Sequence, residues 1–337
     1  IAKPACSCRR LPGLVTAPRP PKLIPKGMFT VDFWAYVVVE KFLLQRPLSR
    51  VILQLAFWGL VDPASGKPGV SQGTLTGGLK RIWPLLQPLY DRILEQVRKA
   101  NHWHMDETRW MVFAEVDDKV GHKWWLWVLV AKDTVYYWLD PSRSADVPRA
   151  LLEGANGGIL SVDRYIAYKS FAKDNPGFLL SFCWTHARRE FVKVRDTTDV
   201  SRRRRWAEAW LGRIGWVFYL NDERLAVRSK PDEFAAKDRV LRKAVDEFKE
   251  RAQREVAGSL GDLHESQVKI LESILKDWAG FLVFIEYPDV PMDNSEAERQ
   301  IRESALGRKN FYGSGAVWSG YLTAGALSIL RTATRNG

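Results

Sequence analysis

Two aspartates lie in or at the end of predicted β-strands, whose backbones would hold them in fixed positions. Asp106 lies inside "HWHMDETRWMVFAEV", a segment typical of a strand, and Asp163 ends the short apolar strand "ILSVD". An acid in the middle of a central strand is costly unless it is paired or binds a cation. Asp163 has two interpretations: a carboxylate positioned for chemistry at the open edge of a sheet, or an aspartate that only stabilises a turn.

A third acid is expected from a late helix, "SEAERQIRESAL" (295–306). Residues that recur every four positions form its predicted buried stripe: Ala297, Ile301 and Ala305. Glu296 and Glu298 flank this stripe on opposite sides, and periodicity does not choose between them. The alternative for Glu298 is a surface salt bridge with Arg302, four residues further on.

Three carboxylates from a central strand, a neighbouring strand end and a helix could hold two divalent metal ions about 4 Å apart. Such a pair of ions activates a water or a 3′-hydroxyl and stabilises both oxygens of an in-line displacement at phosphorus. The acids therefore point to phosphoryl transfer if the fold brings them together.

The charge of the chain favours a polyanionic partner. The 337 residues carry 51 Lys and Arg against 39 Asp and Glu, a formal net charge of +12. Nucleic acid fits this balance better than a membrane, because no apolar stretch approaches the roughly 20 residues that a membrane helix needs. The N-terminus also lacks the apolar core of a signal peptide, so we expect a cytoplasmic protein.

The three cysteines argue against a disulfide framework. Cys183 is interpreted as a small buried hydrophobic residue. Cys6 and Cys8 offer only two of the four ligands of a structural zinc site, so no bound zinc is predicted. The chain opens with Ile1 and closes on the helix-like "RTATRNG", which suggests a fragment at both ends.

The N-terminal third divides into a linker and a helical region. Residues 1–28 are proline-rich and are predicted to be a linker, and residues 29–100 are predicted to be helical. Within them, the order of a short helix, a turn and a second helix around "VSQGTLTGGLKRIW" (70–83) is typical of a helix-turn-helix whose second helix starts near Ser71 and exposes Lys80 and Arg81. A plain helical hairpin has the same order of elements.

The rest of the chain predicts an α/β domain. In 101–190 the order strand, strand, strand, helix, strand, helix, strand indicates a mixed sheet covered by helices, with the turn "DDKVGH" between the first two strands. Residues 191–285 are predicted to be a solvated helical insertion. Residues 286–337 are predicted to hold the acid-bearing helix, a Gly-rich turn "GRKNFYGSGAVWSG" (307–320) and a closing helix.

Basic residues around the acids suit phosphate contacts, although each could instead belong to an ion-paired surface. The candidates for DNA binding are His186, Arg188, Arg189, Arg299, Arg302, Arg308 and Lys309, together with Lys80 and Arg81. The tract Arg202 to Arg205 is a further patch that could follow a DNA backbone. The tryptophans Trp110, Trp124, Trp125 and Trp127 are predicted to be core rather than base-stacking residues.

Seven segments, in this order, resemble the transposases of the IS66 family of bacterial insertion sequences. They are "HWHMDETRW", "GHKWWLWV", "LDPSRSADVP", "LSVDRYIAYK", "FCWTHARREF", "PMDNSEAERQIR" and "GRKNFYGSG…WSG". The resemblance implies a DDE-type transposase with an RNase H-like catalytic domain built on a mixed five-stranded sheet. In it Asp106, Asp163 and Glu298 are the catalytic, metal-binding acids, and the helical insertion separates the last two. Cys6 and Cys8 look like the tail of an upstream zinc-binding segment.

The resemblance also implies the reaction and the partners. Two Mg²⁺ or Mn²⁺ ions would support cleavage at the ends of the element and strand transfer into target DNA by 3′-hydroxyl attack. The expected DNA partners are the terminal inverted repeats of the element and the target DNA. We also expect a homo-oligomeric synaptic complex, accessory proteins of the element and association with the bacterial nucleoid. The alternatives are a truncated, inactive transposase that only binds DNA, and a metal-dependent nuclease of the same fold that does not join strands.

Overall fold

The protein is described from a computed structural model that covers residues 18–114, 123–259, 261 and 263–337. Cys6, Cys8, most of the predicted linker and the predicted turn "DDKVGH" lie outside these residues. The chain forms two compact units, one up to Pro88 and one from Leu89 to Gly337. Within the described residues, no helix is both long and apolar enough to cross a membrane.

Helices make up the first unit, as the sequence predicts. Residues 18–30 contain neither helix nor strand. Helix α1 starts after Thr30, whose side-chain oxygen accepts a hydrogen bond from the backbone N–H of Phe33 at 3.4 Å, and its end continues into a π-helical turn. The helical segments are α1 (Val31–Val38), the π-helical turn (Val39–Leu43), α2 (Leu48–Phe57) and α3 (Gln72–Val97), which runs on into the second unit.

The start of α3 agrees with the predicted start near Ser71. The Ser71 hydroxyl accepts the backbone N–H of Thr74 at 3.1 Å, and Lys80 and Arg81 are exposed. Residues 58–71, which connect α2 to α3, are longer than the three or four residues of a helix-turn-helix turn. A DNA-binding role for this region stays a prediction.

The second unit contains one five-stranded mixed sheet with the order β3-β2-β1-β4-β5. Its strands are β1 (His102–Met111), β2 (Lys123–Val130), β3 (Val135–Asp140), β4 (Gly158–Val162) and β5 (Phe178–Phe182). β1 pairs antiparallel with β2 and parallel with β4, and β4 pairs parallel with β5. This arrangement confirms the predicted α/β, RNase H-like fold with five strands.

Apolar cores on both faces make this sheet the middle layer of three. One core joins Trp103 and Met105 of β1 to the helices of the insertion, and the other joins Trp110 to the last two helices. A strand covered on both faces needs apolar residues at nearly every position, which explains "KWWLWVLV" in β2. Of the tryptophans predicted to be core, Trp110, Trp124 and Trp127 are buried, and Trp125 is half-buried.

The remaining helices follow the predicted plan. Two short helices separate the later strands, α4 (Asp146–Leu151) and α5 (Ile166–Asp174). The predicted helical stretch after Glu190 holds the end of α6 (Trp184–Thr197), then α7 (Ser201–Ala226), α8 (Pro231–Val256), α9 (Glu265–Lys276), α10 (Trp278–Phe281) and α11 (Val283–Glu286). Arg224 of α7 is fully buried, and its guanidinium donates to Asp238 at 2.7 Å and to the Phe284 carbonyl at 2.8 Å.

The prediction of a long Gly-rich turn over 307–320 is wrong in extent. Helix α12 (Ser295–Phe311) continues through the first part, and α13 (Val317–Arg335) begins before the end. The buried side of α12 extends to Ser304 and Gly307, so packing on the sheet sustains the helix despite the low helix propensity of glycine. Arg308 also donates to the Arg109 carbonyl of β1 at 2.6 Å, which holds the last turn of α12 in place.

The true turn contains a glycine that no other residue could replace without strain. Gly313 has φ +148°, and a Cβ there would lie 2.2 Å from the Met111 carbonyl oxygen. The approach is this close because Ser314 donates to that same carbonyl at 2.8 Å. Phe113 in turn donates to the Ser314 carbonyl at 2.9 Å, so the turn is hydrogen-bonded to the end of β1.

We expect Gly313→Ala to destabilise the protein by about 2–3 kcal/mol, because alanine would be strained at this φ and would displace the end of β1. Chemical denaturation measures the decrease in the free energy of unfolding. Gly315→Ala is the matched control, since a Cβ at Gly315 meets nothing within 4 Å. Equal stabilities for the two variants would contradict this account.

Candidate functional site

The strand pairing brings the two predicted aspartates side by side. In the parallel pair β1–β4, His102 lies opposite Ile159 and His104 opposite Ser161. Continuing this register by two residues places Asp106 opposite Asp163, just past the end of β4. Neighbouring strands are about 4.8 Å apart and opposite residues share a face, so both carboxylates emerge on one side of the sheet.

Burial and like charge act together on Asp106. The pKa of its carboxyl group is raised to about 8, mainly by burial and in addition by the charges of Glu107, Asp163 and Glu298. The backbone N–H of Glu107 donates to Asp106 at 2.9 Å and offsets part of this effect. The carboxylate of Asp106 therefore interacts with both of the other predicted acids.

Asp163 also performs the structural role that the sequence left open. One of its carboxylate oxygens accepts the backbone N–H of Tyr165 at 2.9 Å, immediately before α5. This turn holds the aspartate at the strand end. The structural role and the proposed chemical role are compatible, since a carboxylate has two oxygens.

Glu298 lies in the first turn of α12 and is held by α6. Its carboxylate accepts a hydrogen bond from Arg189 at 2.6 Å and lies 3.4 Å from Nδ1 of His186. These contacts with α6 replace the predicted alternative of a salt bridge with Arg302. Glu296, its neighbour on the other side of the helix, instead pairs with Arg299 and Arg335. The two glutamates thus face different parts of the protein.

Asn294 joins the strand of Asp106 to the helix of Glu298. Its side chain is fully buried, donates to the Met105 carbonyl at 2.8 Å, and is hydrogen-bonded to Nδ1 of His104 at 3.0 Å. Its own carbonyl accepts the backbone N–H of Glu298 at 3.1 Å. The sequence analysis did not single out Asn294. A polar residue directly before a helix suggests only a cap, and its partners are about 190 residues away.

Glu107 is a second residue that the sequence analysis did not single out. Its side chain lies on the opposite face of β1 from Asp106 and is almost fully buried. It accepts hydrogen bonds from Arg143, at 2.7 Å, and from the Tyr168 hydroxyl. Burial nevertheless raises the pKa of Glu107. The Arg143 guanidinium lies 3.8 Å from the centre of the Tyr165 ring, beside Asp163.

Cys183 and His186 meet at the start of α6 next to Glu298. Their ligand atoms and those of Glu298 all lie within 4.8 Å of one another, and within the described residues no other group of His, Cys, Asp and Glu side chains meets that spacing. Cys183 is buried, as predicted. His186, predicted as a DNA contact, faces the site, and burial lowers its pKa.

Most of the other predicted DNA-binding residues are exposed. Arg189, Arg299 and Arg308 make the intramolecular contacts described above, and Arg189 and Arg299 are exposed. Lys80, Arg81, Arg188, Arg302 and Lys309 are also exposed. Arg202, Arg204 and Arg205 at the start of α7 are exposed as well.

The sheet order and the pairing of its strands place the protein in the α/β class with an RNase H-like fold. The family described as "Transposase IS66 family" matches residues 26–321. The chain therefore belongs to the IS66 family of transposases, as the sequence segments suggested.

Three relatives from Sinorhizobium fredii carry the names "Uncharacterized protein y4jD", "y4hP" and "y4qI". They are 29%, 26% and 28% identical to the chain over 361, 361 and 362 residues. The matches cover 98–99% of this chain. The chain spans 65%, 61% and 62% of those relatives, slightly less than two thirds of each.

Because the folded-state pKa of Asp106 is about 8 and its ordinary value is 3.8, the folded protein retains a proton that the unfolded chain loses. Stability should therefore fall as the pH rises from about 4 to 8. We expect Asp106→Asn, which removes this charge, to raise the Tm on the order of 5 °C at pH 8, and to have little effect near pH 4.

Thermal unfolding in the presence of EDTA, at several pH values, measures this difference. Asp246→Asn, a change at an exposed aspartate of α8, is the matched control and should shift the Tm equally little at both pH values. A gain for Asp106→Asn that did not depend on pH would contradict the assignment of a buried carboxyl group.

Proposed function

We propose that this chain carries the catalytic domain of a DDE-type DNA transposase, with Asp106, Asp163 and Glu298 as its catalytic acids. The observation that supports the proposal is the register of β1 and β4, because continuing it by two residues puts Asp106 opposite Asp163 on one face. The interaction of Asp106 with Glu298 adds the third acid. Membership of a transposase family supports DNA as the substrate.

The donor set fits Mg²⁺ or Mn²⁺, which prefer carboxylate oxygens. The neighbouring negative charges that raise the pKa of Asp106 are the charges that a bound cation would offset. Asp106, Asp163 and Glu298 would hold two such ions. When bound, the ions lower the pKa of the attacking hydroxyl or water and stabilise the negative charge that develops at phosphorus.

The protein's own residues would position the acids and the DNA. Asn294 fixes the first turn of α12, which carries Glu298, against β1, which carries Asp106. Arg189 holds the Glu298 carboxylate in place through its 2.6 Å hydrogen bond. Exposed cations such as Arg188 and Arg302 would bind DNA phosphates and offset the repulsion between the acids and the substrate.

The proposed reaction has two displacement steps at phosphorus. Water attacks a phosphodiester at each end of the element, the bond to the 3′-oxygen breaks, and a free 3′-hydroxyl and a 5′-phosphate result. Each 3′-hydroxyl then attacks a target phosphodiester and displaces a target 3′-hydroxyl, without a covalent protein intermediate. Joining two ends requires two sites, so we propose a homo-oligomeric synaptic complex, with accessory proteins of the element as further partners.

The test uses a labelled duplex that bears the ends of the element, and a supercoiled plasmid as the target. With Mg²⁺ or Mn²⁺, we expect the 337-residue chain to nick the duplex and to join its ends to the plasmid. Asp163→Asn should lower the rate by at least about 10³-fold, because the ligand it removes supports several kcal/mol of charge stabilisation. Asp246→Asn, at an exposed site outside the cluster, is the control and should keep full activity.

The other outcomes separate the rival functions. Nicked products without joined products would indicate a nuclease. DNA binding without cleavage by either protein would indicate a binding remnant of a transposase. Cleavage that survives Asp163→Asn would remove Asp163 from the catalytic set.

The second part of the proposal concerns the exposed cations at the start of α3. We expect the double variant Lys80→Ala/Arg81→Ala to bind duplex DNA more weakly and with a weaker salt dependence. The slope of log K against the logarithm of the salt concentration should fall in magnitude by about 0.9 for each phosphate that the protein no longer neutralises. Fluorescence anisotropy at several salt concentrations measures this slope.

The matched control is Lys243→Ala/Lys269→Ala, which removes the same net charge from exposed, ion-paired lysines of α8 and α9. It should leave the slope unchanged. If both double variants lower the slope equally, binding follows the net charge of the protein and does not depend on the cations of α3.

A further inference from the structure

Cys183, His186 and Glu298 are spaced like the ligands of a tetrahedral metal site. The Glu298 oxygen lies 3.4 Å from Nδ1 of His186 and 4.0 Å from the Cys183 sulfur. All three ligand atoms lie within 4.8 Å of one another. Zinc bonds of about 2.0–2.3 Å in tetrahedral geometry separate the ligand atoms by about 3.3–3.6 Å. Small side-chain movements would therefore suffice to close the site.

The sulfur is held in a rigid and polar setting. The backbone N–H of Cys183 donates to the Val162 carbonyl at the end of β4, at 3.0 Å, which fixes the residue to the sheet. The backbone N–H of Asn294 donates to the sulfur at 3.3 Å, and those of Thr185 and His186 also donate to it. Hydrogen bonds of this kind orient a ligating sulfur.

His186 offers a nitrogen on the same side. Its Nδ1 is buried and makes no hydrogen bond within the described part of the chain, although it lies 3.4 Å from the Glu298 oxygen. The other ring nitrogen lies 3.2 Å from the guanidinium of Arg189. Cys183 and His186 are three residues apart, and one turn of α6 brings them to the same face.

We infer that Cys183, His186 and Glu298 bind a borderline-soft divalent ion, with Zn²⁺ as the best match. Sulfur and imidazole ligands select such an ion over Mg²⁺, whereas the proposed catalytic set contains oxygen ligands alone. Three protein ligands leave a fourth position for water or substrate. This site is distinct in chemistry from the carboxylate site and overlaps it at one residue.

Because Glu298 belongs to both sets of ligands, zinc binding would affect the Mg²⁺-dependent reaction. The Glu298 oxygen that binds a zinc ion beside Cys183 and His186 would be withdrawn from the carboxylate set with Asp106 and Asp163. Zinc would therefore inhibit the Mg²⁺-dependent reaction by withdrawing Glu298. This consequence rests on the proposed function, whereas the binding of zinc does not.

Binding is tested with Co²⁺, which replaces Zn²⁺ and gives a near-ultraviolet absorption band when a thiolate binds it. The 337-residue chain carries the double substitution Cys6→Ser/Cys8→Ser, so that Cys183 is the only cysteine. We expect one Co²⁺ per chain, a thiolate band, and its displacement by one equivalent of Zn²⁺. Adding Cys183→Ser should abolish the band, and adding His186→Ala should weaken binding at least tenfold.

Circular dichroism and the Tm show whether each variant is folded. The absence of a thiolate band in a folded chain that retains Cys183 would overturn the inference. So would a band of unchanged affinity after His186→Ala, since the imidazole would then not be a ligand.

Inhibition is measured separately, as Mg²⁺-dependent nicking at increasing Zn²⁺ in the Cys6→Ser/Cys8→Ser chain. We expect inhibition that excess Mg²⁺ relieves, at the Zn²⁺ concentration that displaces Co²⁺. A cobalt band in a chain that never nicks DNA would support the metal site and overturn the proposed function. Nicking that persists when the site is saturated with zinc would overturn the shared use of Glu298.

Discussion

The structure depends on the register of one pair of parallel strands, β1 and β4. Because His104 lies opposite Ser161, Asp106 falls opposite Asp163, and a shift of one residue would turn one of these carboxylates to the other face. Apolar layers on both faces of the sheet hold this register, since slippage would expose Trp103 on one side or Trp110 on the other. The buried tryptophans of β1 and β2 thus help to hold Asp106 and Asp163 in position, because they stabilise this strand register.

Charge compensation around these strands separates the acids by role. Glu107 points away from Asp106, pairs with Arg143 and accepts a hydrogen bond from the Tyr168 hydroxyl, which gives it a structural role in the core. Asp106 has acidic neighbours and a raised pKa, which is the environment that a divalent cation would relieve. Glu298 is bound by the exposed Arg189, and its carboxylate lies beside Cys183 and His186.

The sequence predicted the fold to a large extent. The five strands, their order along the chain and the helical stretch after Glu190 are confirmed, because alternation and helical periodicity report directly on which positions are buried. The glycines in 307–320 were misleading: Gly307 lies inside α12, where packing outweighs propensity, and Gly313 is needed in the turn. The catalytic roles of the acids stay predictions, although the structure brings Asp106 into interaction with the other two.

The sequence by itself determined the local features of this protein: its basic charge, its apolar strands, and acids within or directly after those strands. It could not choose between Glu296 and Glu298, which flank the same stripe of α12. The tertiary structure placed Glu298 against α6 and Glu296 against Arg299 and Arg335. Periodicity fixes the face of a helix on which a side chain lies, but it does not identify the partner on that face: Glu298 pairs with Arg189 of α6, more than a hundred residues earlier. Cys183 and Glu298 are more than a hundred residues apart in the sequence, and only the packing of α6 and α12 on the sheet brings them together.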